Sequence, residues 1–170
     1  MTADAEPGND GYAHGNEADR YGSGVSNQLK DPTFNELGFE ERLGLLVNAE
    51  WNRRQSNKLN RFIRNARFAV PSATVEGIEY YEDRKLDKAQ ILRFATGQYI
   101  DEGHHIILKG ASGNGKTYIA CALGNAACRR FKKVQYIRMP ELLDELSIAR
   151  SGGTLKKVLE SYKKKDLLIL

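Results

Sequence analysis

Gly110-Ala111-Ser112-Gly113-Asn114-Gly115-Lys116-Thr117 fits the pattern G-x-x-x-x-G-K-[ST], the glycine-rich phosphate-binding loop. The spacing has a physical cause. Glycines let backbone N–H groups turn inward around phosphate oxygens, where side chains would block the approach. The helix that follows points its positive end at the same phosphates. In this pattern Lys116 adds a full charge at the β- and γ-phosphates, and the Thr117 hydroxyl is the candidate ligand for Mg²⁺. The candidate ATP-binding residues are therefore Gly110, Ala111, Ser112, Gly113, Asn114, Gly115, Lys116, Thr117 and Tyr118.

The flanks agree with the loop. His105-Ile106-Ile107-Leu108 is a short apolar run that predicts a strand leading into it, and Thr117 to Arg130 reads as the helix leading out. Beyond lie a β-branched and aromatic run, Val134 to Ile137, and a helix from Pro140 through Ala149 with the proline in its first turn. An amphipathic helix spans Thr154 to Lys164, and Asp166-Leu167-Leu168-Ile169-Leu170 predicts a final strand. Strands alternating with helices predict an α/β fold with a parallel sheet.

The first half is different in kind. Residues 1–24 carry five acids against Arg20 alone and five glycines, with almost no apolar periodicity; they read as a disordered acidic tail. The net charge of +4 thus hides a balance of −4 in the tail and +8 in the other 146 residues. Phe39, Leu43, Leu46 and Val47 fall on one face of a helix, and a second helical stretch runs from Val47 to Ala66. Between Arg42 and Arg67 there are seven bases and one acid, Glu50, so this arm is a candidate phosphate-contacting face, with Arg53, Arg54, Arg61 and Arg64 as its DNA-binding residues. A solvated face is the competing reading. Pro71 ends the helical pattern, and residues 71–86 read as a linker before a short helix from Asp87 to Thr96 with Gly97 as its cap. The expected organisation is a tail over 1–24, a basic helical region over 25–70, a linker with a short helix over 71–100, and part of a nucleotide-binding domain over 101–170.

Composition narrows the function. With 41% hydrophobic and 28% charged residues the chain reads as a globular protein, and no stretch approaches the ~18 apolar residues of a membrane span. No basic start is followed by an apolar run, so the expected location is cytoplasmic. Cys121 and Cys128 are too few for a disulfide framework, and His14, His104 and His105 have no partners at metal-ligand spacing. Trp51 is expected in the core or in helix–helix packing, with a base-stacking platform the alternative. Tyr80 and Tyr81, just before the loop, are either linker residues or contacts for an adenine ring. Lys132-Lys133 and Lys163-Lys164-Lys165 read as solvated, with phosphate contact the alternative.

Several longer stretches carry a resemblance. Gln28-Leu29-Lys30-Asp31-Pro32, Phe39 to Leu46, Ala49-Glu50-Trp51, Arg64-Asn65-Ala66-Arg67-Phe68, the loop with Tyr118 to Gly124, and Asp166 to Leu170 together resemble the IstB-like ATP-binding proteins. These are helper ATPases of bacterial insertion sequences, related to the helicase loader DnaC within the AAA+ superfamily. The resemblance covers about residues 28–170. It implies an AAA+-like P-loop NTPase domain, here incomplete, behind a small helical N-terminal region. It further implies ATP and Mg²⁺ as cofactors, and double-stranded DNA and a transposase as partners, with a homo-oligomer also considered and no membrane. In that family the Walker B acids follow directly after the Leu-Leu-Ile-Leu run, where this chain stops. The expectation is therefore weak or absent hydrolysis, because Asp166 sits at the wrong end of its strand. The family's strand order also places a later strand beside the loop-leading strand, so the sheet is expected to have open edges. The alternative is a DNA- or partner-binding module with a vestigial nucleotide site. An independent small kinase would need a lid and an acid near a strand end, and neither is visible.

Overall fold

A computed structural model describes residue 30 and residues 32–170. The acidic stretch 1–24, and with it His14, lies outside the described residues. The described residues divide into two compact units, with the boundary between Gln55 and Ser56. It falls inside helix α1, Phe39–Ala66, which is one 28-residue element where the sequence predicts two stretches.

In the first unit, a 3₁₀ turn at Pro32–Glu36 precedes α1. Glu41 Oε2 accepts from the Gly38 amide at 3.0 Å, which ties down the start of the helix. Trp51 is 62% exposed, contrary to the expected packing role, and Phe39, Leu43 and Val47 are exposed as well. The four- and three-residue spacing built a helix face, as expected, but among the described residues nothing covers it.

The second unit holds the core. Its elements after α1 are a 3₁₀ turn at Glu82–Arg84, α2 (Lys88–Ala95), α3 (Gln98–Asp101), α4 (Lys116–Arg129), β1 (Val134–Tyr136), α5 (Met139–Ser151), α6 (Leu155–Lys163) and β2 (Leu167–Ile169). Asp87 caps α2 by accepting from the Ala89 and Gln90 amides, and Gly97 takes the left-handed conformation that ends α2 and opens α3, an element with no separate sequence signal. Pro140 lies in the first turn of α5, as its fixed φ favours.

The sheet has two parallel strands, with Val134 opposite Leu167, Gln135 opposite Leu168 and Tyr136 opposite Ile169. The expected third strand, His105–Leu108, is not one. Its side chains still alternate, Ile106 and Leu108 packing on the core while Ile107 is exposed, but it has no ladder. A strand exists only through its neighbour. Between this segment and β2 lies a cavity of about 510 Å³, lined by Ile106, Leu108, Leu123 and Leu168 among others, and no strand of the described residues fills it.

The core centres on α4, which buries Ile119, Cys121, Ala122, Leu123, Ala127 and Cys128. Burial pushes the Cys128 thiol up to about 11, so it packs as a small apolar group. Residues 71–86, expected as a plain linker, are anchored to the same core. Ala73, Val75 and Ile78 are buried, and Asn125 Nδ2 on α4 donates to the Pro71 and Ala73 carbonyls at 3.1 and 2.7 Å. Gly124 lets Phe68 reach the helix backbone: a Cβ there would stand 2.5 Å from the ring and 2.8 Å from Ile169 Cδ1.

This makes Gly124→Ala a test of the packing. A helix-interior alanine gains about 1 kcal/mol over glycine, while overpacking between two side chains costs about 1–3 kcal/mol. Phe68 is buried and cannot retreat, whereas Ile169 borders the 510 Å³ cavity and can give, so we expect a net loss of about 1 kcal/mol, the middle of that range less the alanine gain. Thermal unfolding should show a lower midpoint; an unchanged or raised one would contradict the packing.

Candidate functional site

The loop over residues 110–116 sits on the N-terminus of the buried helix, so the core fixes its position. Gly113 (φ +82°) and Gly115 (φ +73°) hold left-handed conformations that a side chain would strain. Gly115 is the N-cap of α4 and no side chain caps the helix, so its first amides point out of the helix end unsatisfied by a capping group. That is the chemistry of an anion site: oriented N–H donors reinforced by the positive end of the helix dipole.

Lys116 Nζ donates to the carbonyl oxygens of Gly110 and Ala111 at 2.9 and 2.6 Å, which brings its ammonium across the start of the loop. The exposed Thr117 lines the 510 Å³ cavity together with Lys116, His105 and the end of β2 at Leu168–Leu170. The C-terminal end of β2 and the first turn of α4 thus border the same cavity, while 105–108 forms no ladder. The Tyr118 side chain turns away: its hydroxyl accepts from the Thr74 amide at 3.4 Å and packs on Gly77, where a Cβ would collide with it. Only its backbone faces the helix end.

One residue at the loop was missed by the sequence reading. Arg84 Nη1 donates to the Glu79 carbonyl at 2.7 Å and Nη2 to the Asn114 carbonyl at 2.8 Å. The same guanidinium would lie 2.9 Å from a Cβ at Gly115. Arg84 thus clips the loop to the segment before it, 30 residues away in sequence, using the planar fork that lysine lacks. A lone arginine in a linker carries no local pattern that would point to this contact.

Other candidates separate. Asp166 Oδ2 accepts from the Lys133 amide at 2.6 Å, while the Asp166 amide donates back to the Lys133 carbonyl at 2.8 Å. It closes the start of the β1–β2 pair, as the sequence reading placed it. Tyr81 is exposed and its hydroxyl donates to Glu79 Oε2 at 2.7 Å. Tyr80 packs on the core with Lys88 Nζ 5.7 Å from its ring centroid, and burial raises its phenol above the usual range. Neither tyrosine is shown against the loop. In the first unit, Glu50 binds Arg53 (Nε at 2.8 Å) and Arg54 (Nε at 2.7 Å). Those bonds, Arg54 first and Arg53 next, hold the Glu50 carboxyl below its usual range. In the second unit Arg61 and Arg64 are exposed. Among the described residues no group of three or more His, Cys, Asp or Glu is placed to hold a metal ion, and no helix is long and apolar enough to cross a membrane.

A glycine-rich loop on the N-terminus of a buried helix, with parallel strands behind it, is the arrangement of the P-loop class of α/β domains. The profile of the IstB-like ATP binding protein family matches residues 22–170, and the chain belongs to that family. It is 39% identical over 139 residues to the protein of Pseudomonas fluorescens named as the putative ATP-binding protein of insertion sequence IS1162, covering 82% of this chain and 60% of the relative. A second relative, named as the putative insertion sequence ATP-binding protein y4pL of Sinorhizobium fredii (strain NBRC 101917 / NGR234), is 37% identical over 138 residues, 79% of this chain and 55% of its own length. A third, from insertion sequence IS232 of Bacillus thuringiensis subsp. berliner, is 30% identical over 136 residues, 80% and 54% respectively. The chain thus spans a little over half the length of these relatives.

Removing the clip should loosen the loop without unfolding the core. Each of the two exposed, charge-assisted bonds contributes at most about 1.5 kcal/mol. In Arg84→Ala, amides of residues 110–119 should exchange hydrogen several-fold faster than in the wild type, while those of 121–128 keep their protection. Unchanged exchange over 110–119 would show that Arg84 does not hold the loop.

Proposed function

We propose that the chain binds ATP with Mg²⁺ through residues 110–118 and serves as the nucleotide-dependent helper of a transposase on double-stranded DNA. The observation that carries the ATP part is the loop itself: left-handed Gly113 and Gly115, an uncapped start to α4, and Lys116 held across the loop. The fit to a polyphosphate is chemical. The donors are backbone amides and an ammonium, there is no carboxylate in the loop to repel phosphate, and Thr117 offers a hydroxyl beside it. Mg²⁺ would be held by Thr117 and the phosphates, where it neutralises charge on the β- and γ-oxygens. The relatives named above, each called a putative ATP-binding protein of an insertion sequence, support the same reading.

The DNA part rests on charge. Of the four arginines expected on the arm, Arg53 and Arg54 share Glu50, which leaves Arg61 and Arg64 as the pair whose charge is not offset by a neighbouring carboxylate. The competing reading, a DNA- or partner-binding module whose nucleotide site is vestigial, gains no support from the loop, which keeps the left-handed glycines and the lysine that phosphate binding needs.

Calorimetric titration with Mg-ATP tests the proposal. Lys116→Ala removes one charge-assisted contact, about 1.5–3 kcal/mol, so affinity should fall about ten- to a hundred-fold. Equal affinity in the two proteins, or no binding by the wild type at millimolar ATP, would overturn it.

A further inference from the structure

We propose that a cleft on the second unit, separate from the loop, is a contact surface for the phosphate backbone of duplex DNA. This rests on the DNA part of the reading above and assigns it to a place. The cleft has a volume of about 1150 Å³ and lies between the end of α1, the outer side of β1, the start of α5 and the end of α6. Seven basic side chains line it against three carboxylates. Arg64 and Arg67 come from the end of α1, Lys133 and Arg138 flank β1, and Lys157, Lys164 and Lys165 come from α6 and the turn after it. No ion pair within 4 Å involves any of these seven among the described residues. One of the three acids, Glu145, is engaged by the Tyr162 hydroxyl at 2.6 Å, which fixes α6 to α5 without consuming a cation.

Two of the cations stand where local structure prefers other residues. Arg138 is the N-cap of α5, the position that favours Ser, Thr, Asp or Asn and the end of the helix that repels a cation; it makes no capping bond. Arg67 holds a left-handed conformation (φ +56°) just past the end of α1, where glycine would be unstrained. At Arg138 a cation stands against the helix dipole, which points to a use outside the fold, while Arg67, at the negative end of α1, is opposed only by its backbone conformation. Arg64, Lys164 and Lys165, by contrast, also satisfy the negative ends of their own helices.

The chemistry favours a duplex backbone over other anions. Four of the seven are lysines, point charges suited to phosphate contact rather than to planar bidentate recognition. The two tyrosines in the cleft, Tyr136 and Tyr162, are half-buried, and the second is occupied by Glu145, so there is no open aromatic platform for stacking single-stranded bases. The uncapped start of α5 also opens on the cleft, but Pro140 removes one of its amides and Glu141 puts a carboxylate in its first turn, so a free nucleotide is met less well there than at the loop. An acidic protein segment is the other occupant that charge alone would accept, and the experiment separates it.

The test measures binding of a 30-base-pair mixed-sequence duplex by fluorescence anisotropy across a salt series, using the full chain. The probes are the duplex and a polyglutamate peptide of comparable length. Replacing Arg67, Arg138, Lys164 and Lys165 by Gln should weaken duplex binding at least about tenfold at 0.1 M salt and flatten the log–log salt slope by roughly 2–4, at about 0.9 per phosphate contact. The comparator Lys88→Gln with Arg93→Gln, exposed on α2 and outside the cleft, should leave duplex binding near the wild-type value. Circular dichroism reports folding, and if the fourfold variant unfolds, the pairs Arg67→Gln with Arg138→Gln and Lys164→Gln with Lys165→Gln should each give a part of the loss. Duplex binding unchanged by the cleft substitutions would overturn the assignment of the surface while leaving DNA binding intact. No duplex binding by the wild type at 0.05 M salt would overturn the DNA reading and the cleft together. Polyglutamate bound as tightly as the duplex, and lost in the same variants, would overturn it in favour of an acidic protein partner.

Discussion

The edge of the Phe68 ring rests on the backbone of α4 at Gly124, with Ile169 of β2 closing from the other side. Any side chain at that position would force the ring and the strand away from the helix. Because the contact is to backbone, α4 is buried on almost every side, and the elements around it are placed by what each contributes to covering it. Residues 66–78 supply Ala66, Phe68, Ala73, Val75 and Ile78, α2 supplies Ile91, and β1 supplies Val134. Asn125 adds a polar tie where apolar packing alone would leave the Pro71 and Ala73 carbonyls without partners. A helix held so fully cannot shift along its axis, and the loop on its N-terminus inherits that rigidity.

Rigidity at the loop matters for its chemistry. Backbone amides bind an anion well only when their directions are set before it arrives, since ordering them at binding would cost conformational entropy. Two left-handed glycines set those directions locally, and Arg84 sets them from outside by joining the Asn114 and Glu79 carbonyls through one guanidinium. The segment before the loop, read from sequence as a passive linker, is thereby part of the site. The basic cleft lies elsewhere on the same unit and draws on other elements, so the loop and the cleft can be altered independently.

Much of this was legible in the sequence because the signals are local. The glycine spacing of residues 110–117, the capping Asp87, Gly97 and Pro140 each fix a conformation within a few residues, and α2, α4, α5, α6 and both strands fall within one or two residues of their predicted bounds, whereas α1 joins two predicted stretches and α3 has no counterpart among the predicted elements. What failed depends on partners distant in sequence. His105–Leu108 has the composition and the alternation of a strand, yet β character needs a ladder, and no strand of the described residues fills the space beside β2. Trp51 has the size and position of a packing residue, but periodicity says which residues share a face and nothing about what meets it. Arg84 carried no signal at all. The pairing of Glu50 with Arg53 and Arg54 is a different failure: spacings of three and four on a helix show it in the sequence, and a bare sum of charges does not register it.

The central claim is that the backbone amides at the start of α4 form the phosphate site. Titrating Mg-ATP into the ¹⁵N-labelled chain and following amide chemical shifts tests that directly. The account expects the largest, saturable shifts at the amides of Ser112–Tyr118, with smaller ones at Arg84 and Glu79, and little change over Lys157–Lys165. Unmoved amides at Ser112–Tyr118 in millimolar Mg-ATP, or shifts confined to the basic cleft, would contradict it.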